Sequence, residues 1–199
     1  NNNRTLSILK RPNKIFNILS KKKIDYPTTK LSMPSTKKNW LKKDIRSLGG
    51  VMINKFENID NHNTNINQYF QKYIEGKTIS AQFFVEGNKI KIYAFCLQWN
   101  KETKKNPFKL HGIRTTEINK DLQLRIYSTI KKVALAIKLN GLNSFDFIIP
   151  KNKKNCALLV DINPRPGLSI NILSRIYKKN LFTFKNKIKI RKKIYTTVI

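Results

Sequence analysis

The segment from residue 141 to 167 constrains the fold most. Two apolar runs, Phe145-Asp146-Phe147-Ile148-Ile149 and Leu158-Leu159-Val160-Asp161-Ile162, flank the polar stretch Lys151-Asn152-Lys153-Lys154-Asn155. Branched and aromatic residues on both sides of a Lys/Asn turn predict an antiparallel hairpin. Centring the turn on Lys153-Lys154 sets Asp146 directly across from Asp161. Asn163 falls on the same face because side chains alternate with period two. No other carboxylate follows Asp121, so acid facing acid is not the by-product of an acid-rich stretch. Two like charges at cross-strand distance repel unless positive charge lies between them. A divalent cation carrying phosphate meets that need, and Mg2+ takes hard oxygen ligands such as Asp146, Asp161 and the Asn163 amide. Arg165 continues the alternation and has the forked geometry that holds phosphate or carboxylate. The bland alternative is a strand end entering a turn, which Asp, Asn and Pro all favour.

The rest of the chain frames this hairpin. Residues 1–11 read as a basic, poorly ordered start. Ile15, Phe16, Ile18 and Leu19 predict a short helix over residues 12–23 with Pro12 in its first turn, and Asp25-Tyr26-Pro27-Thr28 ends it. Residues 39–43 predict a strand, followed by Ser47-Leu48-Gly49-Gly50 and a second strand at Val51-Met52-Ile53. Residues 57–67 are Asn-rich and polar, as in a loop. Strands follow at 69–74, 79–85 and 90–99, with Gly76 and a Gly87-Asn88 turn between them. Residues 101–116 read as irregular. The strongest helix pattern runs from 121 to 140, where Leu122, Ile126, Ile130, Val133 and Ile137 recur at spacings of three and four and Asn140-Gly141 supplies a C-cap. A further helix is expected over 169–177. This order predicts an α+β fold with mostly antiparallel strands.

Charge sets the next constraint. With 41 Lys+Arg against 11 Asp+Glu, the formal net charge is +30, which would suit a nucleic-acid binder. Three features argue for compositional drift instead. Only eight of the 41 are Arg, the residue that base and phosphate recognition favours; the basic residues run along the whole chain; and Asn and Ile are inflated beside Lys. Nucleic acid is therefore expected only as a non-specific partner at low salt. Cys96 and Cys156 lie far apart in apolar runs, which predicts two buried thiols in a reducing compartment and neither zinc nor a disulfide. No apolar run approaches the roughly 20 residues that span a membrane, so a cytoplasmic location is expected. The chain lacks an initiator Met and ends in the apolar run Tyr195-Thr196-Thr197-Val198-Ile199, as a piece of a longer protein would.

Three weaker signals lie upstream. Lys43 at a strand end, before Ser47, Gly49 and Gly50, suits phosphate, because backbone N–H groups of a small-residue loop can close over its oxygens. It is not a Walker A loop, which needs Gly-Lys-Ser/Thr at its end, and most of so many lysines must be solvated surface residues. Gln71-Lys72-Tyr73-Ile74-Glu75-Gly76 is an ordinary strand and turn by pattern, yet a strand bridging two lobes can offer backbone groups to a flat heterocycle. His62 reads as a surface residue; His111, in an irregular segment between strands, is the one histidine with a claim, a minor one, to face a substrate.

In order along the chain, Asn13-Lys14, the strand Lys43 with its Gly loop, the Gln71-x-x-Ile74-x-Gly76 hinge, Asp146, and Asp161-Ile162-Asn163-Pro164-Arg165-Pro166-Gly167 resemble the ATP-grasp superfamily over residues 12–178. The last motif is similar to the family's Glu-x-Asn-x-Arg. Within the superfamily the chain most resembles the ATP-dependent carboligases of one-carbon metabolism, relatives of tyramine–glutamate ligase, with Trp40-Leu41-Lys42-Lys43, Pro107-Phe108 and Gly112 fitting that branch. The resemblance implies a two-lobed ATP-grasp fold: a basic segment and linker helix over residues 1–35, a small lobe over 36–75 and a large lobe over 76–199. It implies ATP between the lobes, with Lys14 and Lys43 on the phosphates and Ser47, Gly49 and Gly50 covering them. Gln71 would meet the adenine amino group, and the Lys72-Tyr73-Ile74 backbone the ring edge. Asp146, Asp161 and Asn163 would hold Mg2+ (or Mn2+), and Arg165 would steady the transferred phosphoryl group or the acceptor carboxylate.

The implied activity is an ATP- and Mg2+-dependent ligase that joins a small-molecule carboxylate to an amine through an acyl phosphate. Alternatives are a carboligase that activates bicarbonate, a degenerate nucleotide-binding module, or a basic RNA-binding module. Three departures stand out: Asp161 in place of the family's Glu, Asp44 in place of Pro after the strand Lys, and the bulky Leu48 in the loop. Asp44 is expected to bring negative charge near the phosphates.

Overall fold

The computed structural model describes residues 1–36, 38–46, 50–56, 67–101, 103, 106–177 and 196–198. The chain begins with two helices, α1 (Asn3–Leu9) and α2 (Pro12–Lys21), and continues through β1 (Thr29–Lys30), β2 (Trp40–Asp44), β3 (Ile53–Lys55) and β4 (Gln68–Lys72). These four strands form one sheet in the order β1-β4-β2-β3. The long strands β5 (Gly76–Glu86) and β6 (Lys89–Asn100) follow, then β7 (Leu110–Thr116), α3 (Lys120–Ala136), β8 (Gly141–Pro150), β9 (Leu158–Asn163), α4 (Ile170–Tyr177) and β10 (Thr196–Val198). The second sheet has the order β10-β7-β6-β5-β8-β9. Every strand pair is antiparallel, as the α+β reading expects. The change of sheet falls between Lys72 and Gly76. The segment before residue 36 does not stand apart, since it supplies β1 to the first sheet and α2 to the main core.

Alternation divides the large sheet into two different faces. One carries Ile79, Ala81, Phe83, Val85, Phe145, Phe147 and Leu159. It packs against Leu122, Ile126, Ile130 and Val133 of α3 and Ile15 and Leu19 of α2. Each fully buried Val, Leu, Ile or Phe side chain among them contributes about 1.5–3 kcal/mol, so this layer is the main source of stability. On the opposite face, Ala94, Cys96, Ile113 and Leu142 are covered at one end by Ile172 and Leu173 of α4. The other end of that face, with Thr78, Ser80, Gln98, Asp146 and Ile148, opens onto the first sheet.

Several boundaries differ from the sequence expectation. Residues 3–9 are helical, capped by the Asn2 side chain on Thr5 N–H at 2.9 Å. Thr5 is buried and donates to the Ile137 carbonyl at 2.9 Å, a tertiary anchor that local pattern does not reveal. Residues 110–116 form β7 between β6 and β10, and Val51-Met52 is a turn preceding β3. The long helix stops at Ile137 rather than at Asn140-Gly141. Lys138 takes a positive φ of 55°, and Leu139 N–H returns to the Ala134 carbonyl at 2.9 Å. The end of α2 repeats this with Lys23 (φ 50°) and Ile24 N–H on Leu19 C=O at 3.0 Å. In both, a buried aliphatic residue just past the helix holds a Lys where Gly is usual.

Candidate functional site

The hairpin β8–β9 brings Asp146 and Asp161 opposite each other, and Ser144 opposite Asn163. Nearer the turn the register slips by one, pairing Phe147 with Leu159 and leaving Val160 as a bulge. The pairing of the acids therefore depends on one extra residue in β9. The bulge has a second effect: the Val160 carbonyl accepts from Lys43 Nζ at 3.1 Å, tying the small sheet to the hairpin.

Asp146 is enclosed. Its carboxylate accepts from Gln98 Nε2 at 3.1 Å and Asn163 Nδ2 at 3.2 Å, with Ser80 as its partner on β5. Burial, and then the facing Asp161, push its carboxyl up to about 7 despite the hydrogen bonds from Ser80, Gln98 and Asn163. Asp161 is exposed and accepts from Ile162 N–H at 2.9 Å. The donors fit Mg2+, which takes one or two carboxylates and completes its shell with phosphate oxygens and water. The Asp146 carboxyl is raised chiefly because it is buried, with the facing Asp161 charge adding to it. Among the described residues no cluster of three His, Cys, Asp or Glu exists, so any metal here relies on the two acids, an amide and its substrate.

Lys43 points into the same cleft from β2. It is buried and donates to Gln71 Oε1 at 3.2 Å as well as to Val160. Burial works against its charge, but its cross-strand neighbour Tyr69, followed by Asp161 and Asp146, hold the ammonium above its usual range. Gln71 is also buried, and its Nε2 donates to Thr29 Oγ1 at 3.2 Å. Its amide thus braces Lys43, and its oxygen keeps a second lone pair for a further donor. Past Gln71, Lys72 N–H goes to Thr28 C=O at 2.8 Å and Tyr73 N–H to Asn39 C=O at 2.9 Å. Tyr73 lies 6.1 Å from the Phe108 ring. Phe108 presses on Gly50, where a Cβ would fall 2.0 Å from the Phe108 carbonyl oxygen and φ is +78°; only glycine fits there.

These groups line one open cleft with a cavity of about 250 Å³ between the two sheets. Of the sequence-derived site residues, it brings together Lys43, Gly50, Gln71, Lys72, Tyr73, Ile74, Asp146, Asp161, Asn163 and Arg165. Ser47 and Gly49, with Leu48, lie outside the described residues, as does His62. Lys14 is exposed on α2 and does not line the cleft, nor does His111 on β7. Arg165 is exposed, its guanidinium 3.3 Å from Asn163 Oδ1 and 3.2 Å from the Pro166 carbonyl. The expectation for Asp44 is corrected. It faces away from Lys43, and Arg46 grips both its oxygens at 2.9 and 2.7 Å, holding its carboxyl below the usual range. Its charge is spent outside the cleft. Sequence reasoning missed Gln98, Ser80 and Ser144, which carry no signal until the sheet order places their strands beside the hairpin.

The ATP-grasp domain model matches residues 13–169. An Archaeoglobus fulgidus protein provisionally assigned to the ATP-grasp superfamily superposes with a TM-score of 0.68 at 17% identity, over 88% of this chain and 52% of that one. L-amino acid ligase from Bacillus licheniformis gives 0.67 at 12% identity, over 88% and 45%. Biotin carboxylase from Campylobacter jejuni, in a βγ-ATP complex, gives 0.69 at 13%, over 90% and 45%. The chain thus spans about half the length of these proteins. No curated protein matches it by sequence.

Proposed function

The chain belongs to the ATP-grasp domain family, and from that premise we propose that it is an ATP- and Mg2+-dependent carboxylate–amine ligase acting through an acyl phosphate. The observation that carries this reading is the facing pair Asp146 and Asp161, with the buried Lys43 ammonium bridging from the opposite sheet. Two acids and one lysine in a cleft form the charge pattern that a metal-bound triphosphate complements.

The residues divide the work along the cleft. The Lys72-Tyr73-Ile74 backbone, Ile148 and Leu110 offer a flat, mostly apolar slot for a base. Lys43 leaves Val160 for phosphate oxygens, and Gly50 lets the backbone approach closely. Asp146, Asp161 and Asn163 would hold Mg2+, which when bound neutralises charge on the β- and γ-phosphates. Arg165 orients the incoming carboxylate. A carboxylate oxygen then attacks the γ-phosphorus, the bond to the ADP oxygen breaks, and ADP leaves. An amine attacks the acyl carbon, phosphate departs and the amine's proton is released to water. In-line positioning and fixed charge supply most of the acceleration.

Trp40-Leu41-Lys42-Lys43 and Pro107-Phe108 support the carboligase branch of one-carbon metabolism as the place to look for substrates, and Phe108 lies in the cleft wall. Two free cysteines fit a reducing, cytoplasmic setting, and no described helix is long and apolar enough to cross a membrane. The test is thermal unfolding with Mg2+-ATP. Ligand at 100-fold above its dissociation constant stabilises the folded state by about 2.7 kcal/mol. Absence of a shift, together with salt-sensitive RNA binding, would overturn the ligase in favour of a basic RNA-binding module.

A further inference from the structure

A second cavity lies outside the ATP cleft, between the N-terminal helices and β9, the last strand of the large sheet. It is an open crevice of about 250 Å³. Its wall is apolar: Leu6 and Leu9 of α1, Ile15, Phe16 and Leu19 of α2, and Ile162 of β9. Tyr69 stands edge-on to Phe16, with ring centroids 5.2 Å apart. An apolar cavity of roughly 150 Å³ holds a benzene ring, so this one has room for a ring with a short chain.

Charge is confined to the rim. Arg46 is taken up by Asp44 at 2.7 Å. Lys10 is exposed, and among the described residues no hydrogen bond or ion pair holds its ammonium. Arg165 meets only the neutral oxygens of Asn163 and Pro166. Against these two cations stands one acid, Asp161, which faces Asp146 across the hairpin. The rim therefore favours an anion over a cation.

The crevice and the cleft share a partition. Val160, Asp161, Asn163 and Arg165 line both, so a molecule whose body lies against α1 and α2 presents its polar end toward Asp161 and Asn163. The loop that continues this partition is held at both ends. Asn1 Nδ2 donates to the Pro164 carbonyl at 2.7 Å, and the buried Gln82 accepts from Gly167 N–H and Ser169 Oγ, each at 3.0 Å. Gly167 thereby covers the Ser144 hydroxyl, which has no hydrogen-bond partner. A wall fixed in advance lowers the ordering cost of binding.

We propose that this crevice is the specificity pocket for the acid, and that the acid carries an apolar group about the size of a phenyl ring or a branched aliphatic chain. This rests on the ligase reading above and narrows its substrate. Bicarbonate has no apolar body and gains nothing from the crevice, and a protonated amine meets a cationic rim. The side chains that select the acid belong to α1 and α2, which the ATP cleft does not use.

Calorimetric titration of the full chain loaded with Mg2+-ADP tests this, with hydrocinnamate, its neutral amide hydrocinnamide, acetate and bicarbonate as probes. Hydrocinnamate binds roughly 10- to 100-fold more tightly than acetate or bicarbonate, the range that burying one Phe-sized group gives. Leu9→Trp fills the crevice from α1 and removes that advantage, while Mg2+-ADP affinity stays unchanged because Leu9 does not line the cleft. Lys10→Glu alters only the exposed rim; it weakens hydrocinnamate on the order of fivefold and leaves hydrocinnamide unchanged. Acetate or bicarbonate binding as tightly as hydrocinnamate, no hydrocinnamate binding by the wild type, or wild-type hydrocinnamate binding by either variant overturns the pocket. If Mg2+-ADP itself does not bind, the ligase reading falls. The same titrations of the free chain then decide the crevice, and loss of the hydrocinnamate preference there overturns it as a binding site too.

Discussion

Replacing Asp161 with Asn tests the facing acids without any substrate. Asp146 holds a proton up to about pH 7 in the folded protein, because it is buried and faces Asp161, whereas an unfolded Asp releases it near 4. Between those limits the folded state binds a proton that the unfolded state does not. Stability therefore falls as pH rises from about 4 to 7 and is level above. Two charges roughly 5 Å apart at an effective dielectric of about 20 repel by about 3 kcal/mol, an upper bound for what Asp161 adds. Asp161→Asn should leave the free protein about 1–3 kcal/mol more stable at pH 8 and unchanged below pH 4. Burial is the larger cause of the shift, so part of the pH slope survives the substitution. Urea unfolding at a series of pH values measures this directly. A variant no more stable at pH 8, with the wild-type slope intact, would show that the two carboxylates do not sense each other. The same variant should lose most of the stabilisation by Mg2+-ATP, so one substitution raises stability and removes binding.

Two further outcomes follow from the same geometry. Lys43→Met removes an ammonium that spans Gln71 and Val160; nucleotide affinity should drop roughly 30-fold, for one charge-assisted contact of about 2 kcal/mol, and titration with Mg2+-ADP reads it. Ile126→Ala empties a fully buried site between α3 and the sheet and should cost about 2–5 kcal/mol in urea unfolding, while a loss under 1 kcal/mol would mean that α3 does not close the core.

The hairpin and the amphipathic α3 were legible in the sequence, because each follows from short-range periodicity; Asp146 faces Asp161 as expected, but through the Val160 bulge, which periodicity does not reveal. The same locality explains the misses. Residues 3–9 and 110–116 lack strong periodicity and owe their form to partners far along the chain, Ile137 for the first and the strands β6 and β10 for the second. Lys23 and Lys138 end their helices in a backbone conformation usually given to Gly. The buried Ile24 and Leu139 just beyond them hold it, and burial is not a local property.

The sequence by itself determined that the strands carrying the two acids would pair around one turn, whereas the register that sets acid against acid needs the Val160 bulge. Only the tertiary structure decided what surrounds that pair. The Val160 bulge turns a carbonyl toward Lys43, Arg46 draws the charge of Asp44 out of the cleft, and Gln82 fixes the loop above an unpaired Ser144 hydroxyl. Those arrangements depend on which strands become neighbours, and that is set by packing the whole core at once rather than by any window of residues.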